Sequence, residues 1–429
     1  MTNNLLSRFS YNECNISEVE KGSLGTFEYI RSYLKHLLPT MSGYSLMVSP
    51  ARIVDREFKQ PLLCGPGPAN YWPAMNDALT KWVISPMDDE YFWVLQDIRA
   101  GLQYAFQTSS PLVLAVSGAG HSGMETVISN LLGRGEKLLI ASRGIWDERA
   151  CSMATRYGIT PIVHSTEMTS TFCLSELEEQ LKVHRPAALF ITHGDSSTGS
   201  VQSLPGLGDL CHQYGALLIV DTVVSLVAVP FEMDRWGVDA VYTSLQKGLS
   251  GPAGITPVAF STRAEEKIKN RKHEPPFYFD MKLLAQQWNC YGDTRSYHHT
   301  LSPPLLWALR CSLQELCREG LEQSWARHAA ATARFHQRLQ TMPVTFLIPK
   351  PEDRLATVTT VVIPKEYDQL AVLKHIRDKY NIVIFRGLGP TVGVALRIGL
   401  MGVNATLQVA DQVADALEDA LLTLKKGKL

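Results

Sequence analysis

The sequence predicts an α/β fold: a large domain built on a mostly parallel sheet, followed by a smaller α+β domain. Three observations predict it. Seven short apolar runs recur between residues 112 and 261, helix-like stretches lie between them, and the rhythm changes after Ser261. The runs are LVLAVSG (112–118), KLLIASRG (137–144), ITPIVHS (159–165), AALFITHGD (187–195), ALLIVDTV (216–223), DAVYTSL (239–245) and ITPVAFS (255–261). Several are apolar at consecutive positions, as strands buried on both faces must be. The intervening GMETVISNLL, ERACSMATRYG, LSELEEQLKVHR and LGDLCHQYG read as helices, so right-handed β-α-β crossovers with helices on both faces are expected.

Beyond Ser261 come a Pro-bearing segment (KNRKHEPPFYFD), the aromatic stretch WNCYGDTRSYHHT and one long helical stretch from LLWALR to RFHQRLQ. The last hundred or so residues alternate strand-like ATVTTVVIP, NIVIFRG and VALRIGL with helical DQLAVLKHIRDKY and a closing helix. We expect an N-terminal extension over 1–60, a large domain over 61–310 and a small domain over 311–429, the boundary falling inside the helical stretch near 305–320.

Composition narrows the function. Lysine plus arginine (41) nearly cancels aspartate plus glutamate (42), leaving a net charge of −1 and no field to draw nucleic acid or an anionic membrane. With 45% hydrophobic and 19% charged residues, and no apolar run near the length of a membrane span, a soluble enzyme or binding protein is expected. The eight cysteines form no CxxC pair and read as reduced thiols. The opening residues carry Glu13, Glu18 and Glu20 and have neither a secretory nor a mitochondrial pattern. The chain closes on Gly427-Lys428-Leu429, which reads either as a peroxisomal address with glycine in the first place or as the frayed end of a basic helix.

Ligands of open α/β sheets sit beyond the carboxyl ends of the strands, and the residues there are chemically unusual. SGAGHSGME (Ser117–Glu125) leaves the first run and opens a helix; small residues at a helix N-terminus suit a phosphate. The same segment spells GxGxxG, which raises a dinucleotide site, but no acid ends the next strand to hold a ribose. Asp221 ends the run ALLIVD, and Lys247 follows the next run in TSLQKGLSGPAG with no acid nearby in sequence. A phosphate seat, a strand-end carboxylate and a strand-end lysine together match the needs of pyridoxal 5′-phosphate: the lysine as covalent Schiff-base anchor and proton carrier, the carboxylate on the pyridine nitrogen. Trp146, after the second run, could stack on a flat ring, or serve as a core tryptophan. Arg397, in the strand VALRIGL, needs an anion, either a substrate carboxylate or an internal acid.

From LLCGPGPAN (62–70) onward the chain resembles the class-V, fold-type I pyridoxal-phosphate aminotransferases, in particular their alanine–glyoxylate and serine–pyruvate branch. QYAFQT, SGAGH, GIW, LFITHGDSSTG, LCHQYG, MDRWGVD, SLQKGL, RSYHHT, GLEQSW, TVTTVVIP, GLGP and LRIGL…NAT carry the likeness in order. It implies Lys247 as the Schiff-base lysine, Asp221 as partner of the pyridine nitrogen and Trp146 as the stacking residue. It further implies Gly120, His121 and Gln246 at the phosphate, Ser196 near the ring hydroxyl, and Arg397 on the substrate carboxylate. Tyr297 and Thr300 would reach the phosphate from a second subunit, making a homodimer with shared sites. The expected reaction is ping-pong transfer of an amino group from alanine or serine to glyoxylate or pyruvate. Transamination of 3-hydroxykynurenine and a catalytically silent relative are the alternatives; a desulfurase lacks its Gly-flanked cysteine loop. The chain departs from the family pattern at Ala119, Leu245 and Val227–Ala228; bulk at the last pair is expected to narrow or reshape the acceptor pocket.

Overall fold

The computed structural model describes residues 53–292 and 295–424, with residues 32, 33, 35, 36 and 51. The chain divides into two units, 1–58 and 59–429, and the fold lies in the second. The extension and the terminal tripeptide Gly427-Lys428-Leu429 fall almost wholly outside the described residues.

Each apolar run becomes one strand of a seven-stranded sheet: β1 (Val113–Ser117), β2 (Lys137–Ser142), β3 (Thr160–Ser165), β4 (Ala188–Thr192), β5 (Leu217–Asp221), β6 (Ala240–Tyr242) and β7 (Ile255–Phe260). Their spatial order is β1-β7-β6-β5-β4-β2-β3. All neighbours run parallel except β7, which is antiparallel to β1 and β6. The reason is the connection. A parallel return needs a crossover, usually a helix, and residues 243–254 between β6 and β7 contain none. The chain turns back directly, and the loop that holds Lys247 stays at the end of the sheet where the parallel strands finish. Central β4 and β5 are buried at every position, which is why they read as unbroken apolar runs.

The crossovers are α2 (Gly120–Leu131), α3 (Ile145–Arg156), α4 (Leu174–His184) and α5 (Leu207–Gln213), preceded by α1 (Asp89–Phe106). Helices α6 (Thr262–Asn270) and α7 (Met281–Gln287) follow the sheet. The long helical stretch expected next is two helices, α8 (Pro303–Glu319) and α9 (Leu321–Leu339). Gly320 divides them at φ +87°, a backbone state that only glycine adopts without strain. Its N–H closes α8 on the Leu316 carbonyl, while the Tyr104 hydroxyl accepts from the first N–H of α9.

Two large apolar cores occupy the unit, with a small third cluster of Ala69, Val224, Leu355, Val358 and Met401. One, around Trp288, Tyr91, Phe106 and Phe190, ends at Leu321; the other, around Phe335, Val361, Leu396 and Leu417, starts in the helical region at Ala331 and also takes Cys64. The cores therefore part company inside α9. The second is built on a four-stranded antiparallel sheet, ordered β8-β9-β11-β10, of β8 (Thr345–Phe346), β9 (Val358–Val362), β10 (Phe385–Arg386) and β11 (Ala395–Gly399), with α10 (Gln369–Tyr380) and α11 (Leu407–Thr423). The single strand expected from NIVIFRG is divided: Ile382–Val383 pairs in parallel with Leu62–Leu63, and Phe385–Arg386 pairs with β11. Among the described residues no helix is long and apolar enough to cross a membrane.

Candidate active site

Because β1, β2, β4, β5 and β6 run the same way, the segments that leave them meet at one end of the sheet. There a cavity of about 130 Å³ is walled by Ala119, Gly120 and His121 after β1, Trp146 after β2, Ser196 after β4, and Asp221 at the tip of β5. Gln246 and Lys247 close it from the β6–β7 loop; Met124, Gly194, Val223, Val224 and Tyr242 complete it. Seven of the ten residues singled out in the sequence thus line one space, and an eighth, Arg397, bonds to the backbone of one of them, Ser196.

Asp221 is 4% exposed and holds two hydrogen bonds: Oδ1 accepts from Val223 N (2.8 Å), Oδ2 from the Tyr242 hydroxyl (2.5 Å). Parallel pairing puts Asp221 and Tyr242 at matching positions of β5 and β6, which is what brings hydroxyl and carboxylate together. Burial pushes its carboxyl up to about 7, the two hydrogen bonds oppose the rise, and the nearby Asp147 and Asp195 add to it. A buried carboxylate with no cation on it is costly. A cationic ring nitrogen placed in the cavity would remove that cost.

Lys247 donates from Nζ to the Pro66 carbonyl at 2.6 Å, and among the described residues it has no carboxylate partner within ion-pair distance. Burial, helped by the guanidinium of Arg397 and opposed by Asp221, lowers its ammonium to about 8. Gly67, at φ +104°, lies against this amine: a Cβ there would stand 2.3 Å from Nζ. The positive φ calls for glycine, and a side chain there would push the amine from its place. The amine is thereby held by one neutral acceptor, with its ammonium far easier to deprotonate than an ordinary lysine's, beside open space.

Helix α2 starts at Gly120 behind Ala119, which offers no side-chain cap. Its first N–H groups face the cavity end of the sheet without the hydroxyl that usually satisfies one of them, and an anion placed there would satisfy them. Beside it the Ser244 hydroxyl donates to Gln246 Oε1. His121 and Trp146 lie with ring centroids 5.9 Å apart, and burial together with Arg149 keeps the imidazole below its ordinary pKa. Trp146 sits in the first turn of α3, its indole N–H donating to Ser196 Oγ at 3.0 Å. That bond fixes the ring as one wall.

Arg397 answers one question left open by the sequence. Among the described residues it forms no ion pair. Nε donates to the Arg386 carbonyl (3.0 Å) and Nη1 to the Ser196 carbonyl (2.9 Å). Burial draws its guanidinium down to about 10, opposed by Asp195. A buried guanidinium on carbonyls alone retains the ability to take a carboxylate.

Beneath the cavity lies a group of buried charges that sequence reasoning missed. Asp147 takes N–H groups of Arg143 and Gly144 and the Thr192 hydroxyl. Asp195 takes the N–H and hydroxyl of Ser197. Arg143 reaches Gln202 Oε1 and the Thr192 carbonyl. Burial raises Asp147 to about 6 and lowers His193 to about 3. Charged residues just beyond a strand read as solvent-facing; only the way the chain folds back after β2 and β4 buries these.

Tyr297 and Thr300 are not brought to the cavity. They stand exposed, bonded to each other at 2.7 Å. Nor do Val227 and Ala228 narrow it: neither lines it, and the Val227 side chain packs over Gly248 instead. Leu245 likewise turns away, filling the place a Cβ on Gly251 would take.

The model of the class-V aminotransferase family matches residues 83–410. The alanine–glyoxylate aminotransferase of Mus musculus is 43% identical over 393 residues, covering 91% of this chain and 95% of its own length. That of Drosophila melanogaster is 40% identical over 386 residues, covering 89% and 98%. The crystal structure of the alanine–glyoxylate aminotransferase of a Nostoc species superposes with a TM-score of 0.84 at 38% identity, covering 86% of this chain and 98% of that one. The chain belongs to the class-V aminotransferases. It is an aminotransferase with the fold-type I architecture of that family.

Proposed function

We propose that the protein is a pyridoxal-phosphate-dependent transaminase that moves the amino group of alanine to glyoxylate, leaving pyruvate and glycine, with serine and pyruvate as the further donor and acceptor. The observation that carries the reading is the amine of Lys247, half-buried, free of any carboxylate among the described residues, and under the electrostatic influence of both Asp221 and Arg397. The relatives that share two fifths of the sequence bear the alanine–glyoxylate name, which supports the substrates.

The donor set fits the cofactor. Lys247 would anchor its aldehyde carbon; Asp221 would hold its ring nitrogen protonated; the uncapped start of α2, with Gly120, His121 and Gln246, would take its phosphate; Trp146 would cover one face and Ser196 its ring hydroxyl. When bound, the cofactor supplies a sink for the electron pair left at the substrate Cα. Lys247 would take the Cα proton, a task suited to an amine whose pKa burial has lowered toward the neutral range. Arg397 orients donor and acceptor by the carboxylate that both possess. Tyr297 and Thr300 would complete the phosphate seat from a second copy, in a homodimer. The closing Gly427-Lys428-Leu429 supports a peroxisomal address, and appending this tripeptide to a fluorescent carrier tests it.

The decisive experiment incubates purified protein and cofactor with alanine and glyoxylate and measures pyruvate and glycine, one for one. Lys247→Ala should abolish both products. Borohydride treatment of the loaded protein should tag the peptide bearing Lys247. A label elsewhere, or 3-hydroxykynurenine outperforming alanine as donor, overturns the reading.

A further inference from the structure

Phe385 stands directly across from Arg397 in the antiparallel pair β10–β11. Residues directly opposite one another in such a pair share a face, with Cβ atoms about 5 Å apart. Arg397 points its guanidinium toward the Ser196 carbonyl at the cavity rim, so the phenyl ring of Phe385 rises on the same side. Gly65 reports the ring's position independently: a Cβ built there would fall 2.0 Å from Phe385 Cδ2. The next residue, Pro66, supplies the carbonyl that takes the Lys247 amine. The ring therefore lies on the 65–67 ribbon, between the group that would hold a substrate carboxylate and the chain that holds the catalytic lysine. It is nevertheless 39% exposed and belongs to neither apolar core. The ring lies against a glycine and leaves much of its surface open.

We propose that Phe385 is the size-selecting wall of the substrate site, the surface met by whatever extends beyond Cβ of an amino acid held through its carboxylate by Arg397. This rests on the transaminase reading above. The strand pairing with Arg397 sets where the residue stands, and the ring lies against Gly65. Donors as short as alanine stop short of it, and longer straight chains collide with it.

The test compares kcat/KM for alanine, 2-aminobutyrate and norvaline, with glyoxylate as acceptor, in cofactor-loaded wild type, Phe385→Leu and Phe385→Ala. One methylene misfitted in an apolar pocket is worth roughly 10-fold or more, so Phe385→Ala should raise the norvaline-to-alanine ratio by about 10-fold, with Phe385→Leu between. A fold-wide disturbance lowers all donors together and leaves the ratio where it was. Inhibition constants of acetate, propionate and valerate supply a readout without turnover; valerate alone should bind tighter to Phe385→Ala. A ratio unmoved within about two-fold, with alanine turnover intact, overturns this inference alone. A wild type that turns over no alanine overturns the transaminase reading and this inference with it.

Discussion

The Tyr242 hydroxyl donates to Asp221 Oδ2 at 2.5 Å across two adjacent parallel strands. Both residues are buried, and the bond is one of two that hold the carboxylate against the cost of its burial. Tyr242→Phe therefore leaves Asp221 Oδ2 without its donor. We expect a loss of about 1–3 kcal/mol in chemical denaturation of the cofactor-free protein, and a further upward shift of the Asp221 carboxyl. A variant as stable as wild type at pH 7.5 would show the bond to be energetically idle.

Asp221 also sets a pH dependence. Its carboxyl lies at about 7 in the fold against 3.8 in an unfolded chain. Between those values the folded state binds the extra proton, so the stability it contributes is complete below pH 4 and is lost as pH rises through 7. Asp221→Asn removes that dependence. The variant should gain on wild type by about 1.4 kcal/mol per pH unit across the window. Parallel stability profiles from pH 4 to 8 would contradict it.

Lys247 provides the opposite sign. With its ammonium at about 8, about a tenth of the amine is free at pH 7, against roughly one part in three thousand at an ordinary lysine. Reductive labelling by a small aldehyde should rise with a midpoint near pH 8. Because the Arg397 guanidinium contributes to the depression, Arg397→Gln should move that midpoint upward, while lowering kcat/KM for alanine by about 100-fold or more through loss of a charged carboxylate contact. Mass spectrometry of the Lys247 peptide across pH supplies the first measurement, steady-state kinetics the second.

Val227 occupies the left-handed region at φ +62°, although it is β-branched and buried. That conformation disfavours any Cβ by roughly 1–2 kcal/mol. Val227→Ala loses packing over Gly248 without relieving the backbone and should destabilise by about 1–2 kcal/mol. Val227→Gly loses the same packing but releases the strain. It should melt above the alanine variant, an inversion of the usual ranking; calorimetry of the three proteins decides it.

The sheet was legible because parallel strands buried on both faces leave unbroken apolar runs, and its seven members lie where such runs lie. Asp221, Lys247 and Trp146 were legible because strand-end position and residue type coincide there. The Asp147–Arg143–Asp195 group was not: its burial depends on how the chain folds back after β2 and β4, which no local pattern records. Gly320 was hidden for a different reason, since helix periodicity continues through it and only its positive φ divides α8 from α9. The effect expected of Val227 and Ala228 on the cavity failed because adjacency to Asp221 in sequence is not adjacency in space; the chain turns at Val223, and it is Val223 and Val224 that face the opening.

Residues 382–386 are shared between two ladders, one to Leu62–Leu63 and one to the strand of Arg397. A few residues on from that first ladder is Pro66, the acceptor of the lysine amine. Arg397 and the lysine's tether are thus mechanically a single part: a displacement of the C-terminal sheet shifts both together, so the charge state of the amine and the placement of the guanidinium respond to one motion.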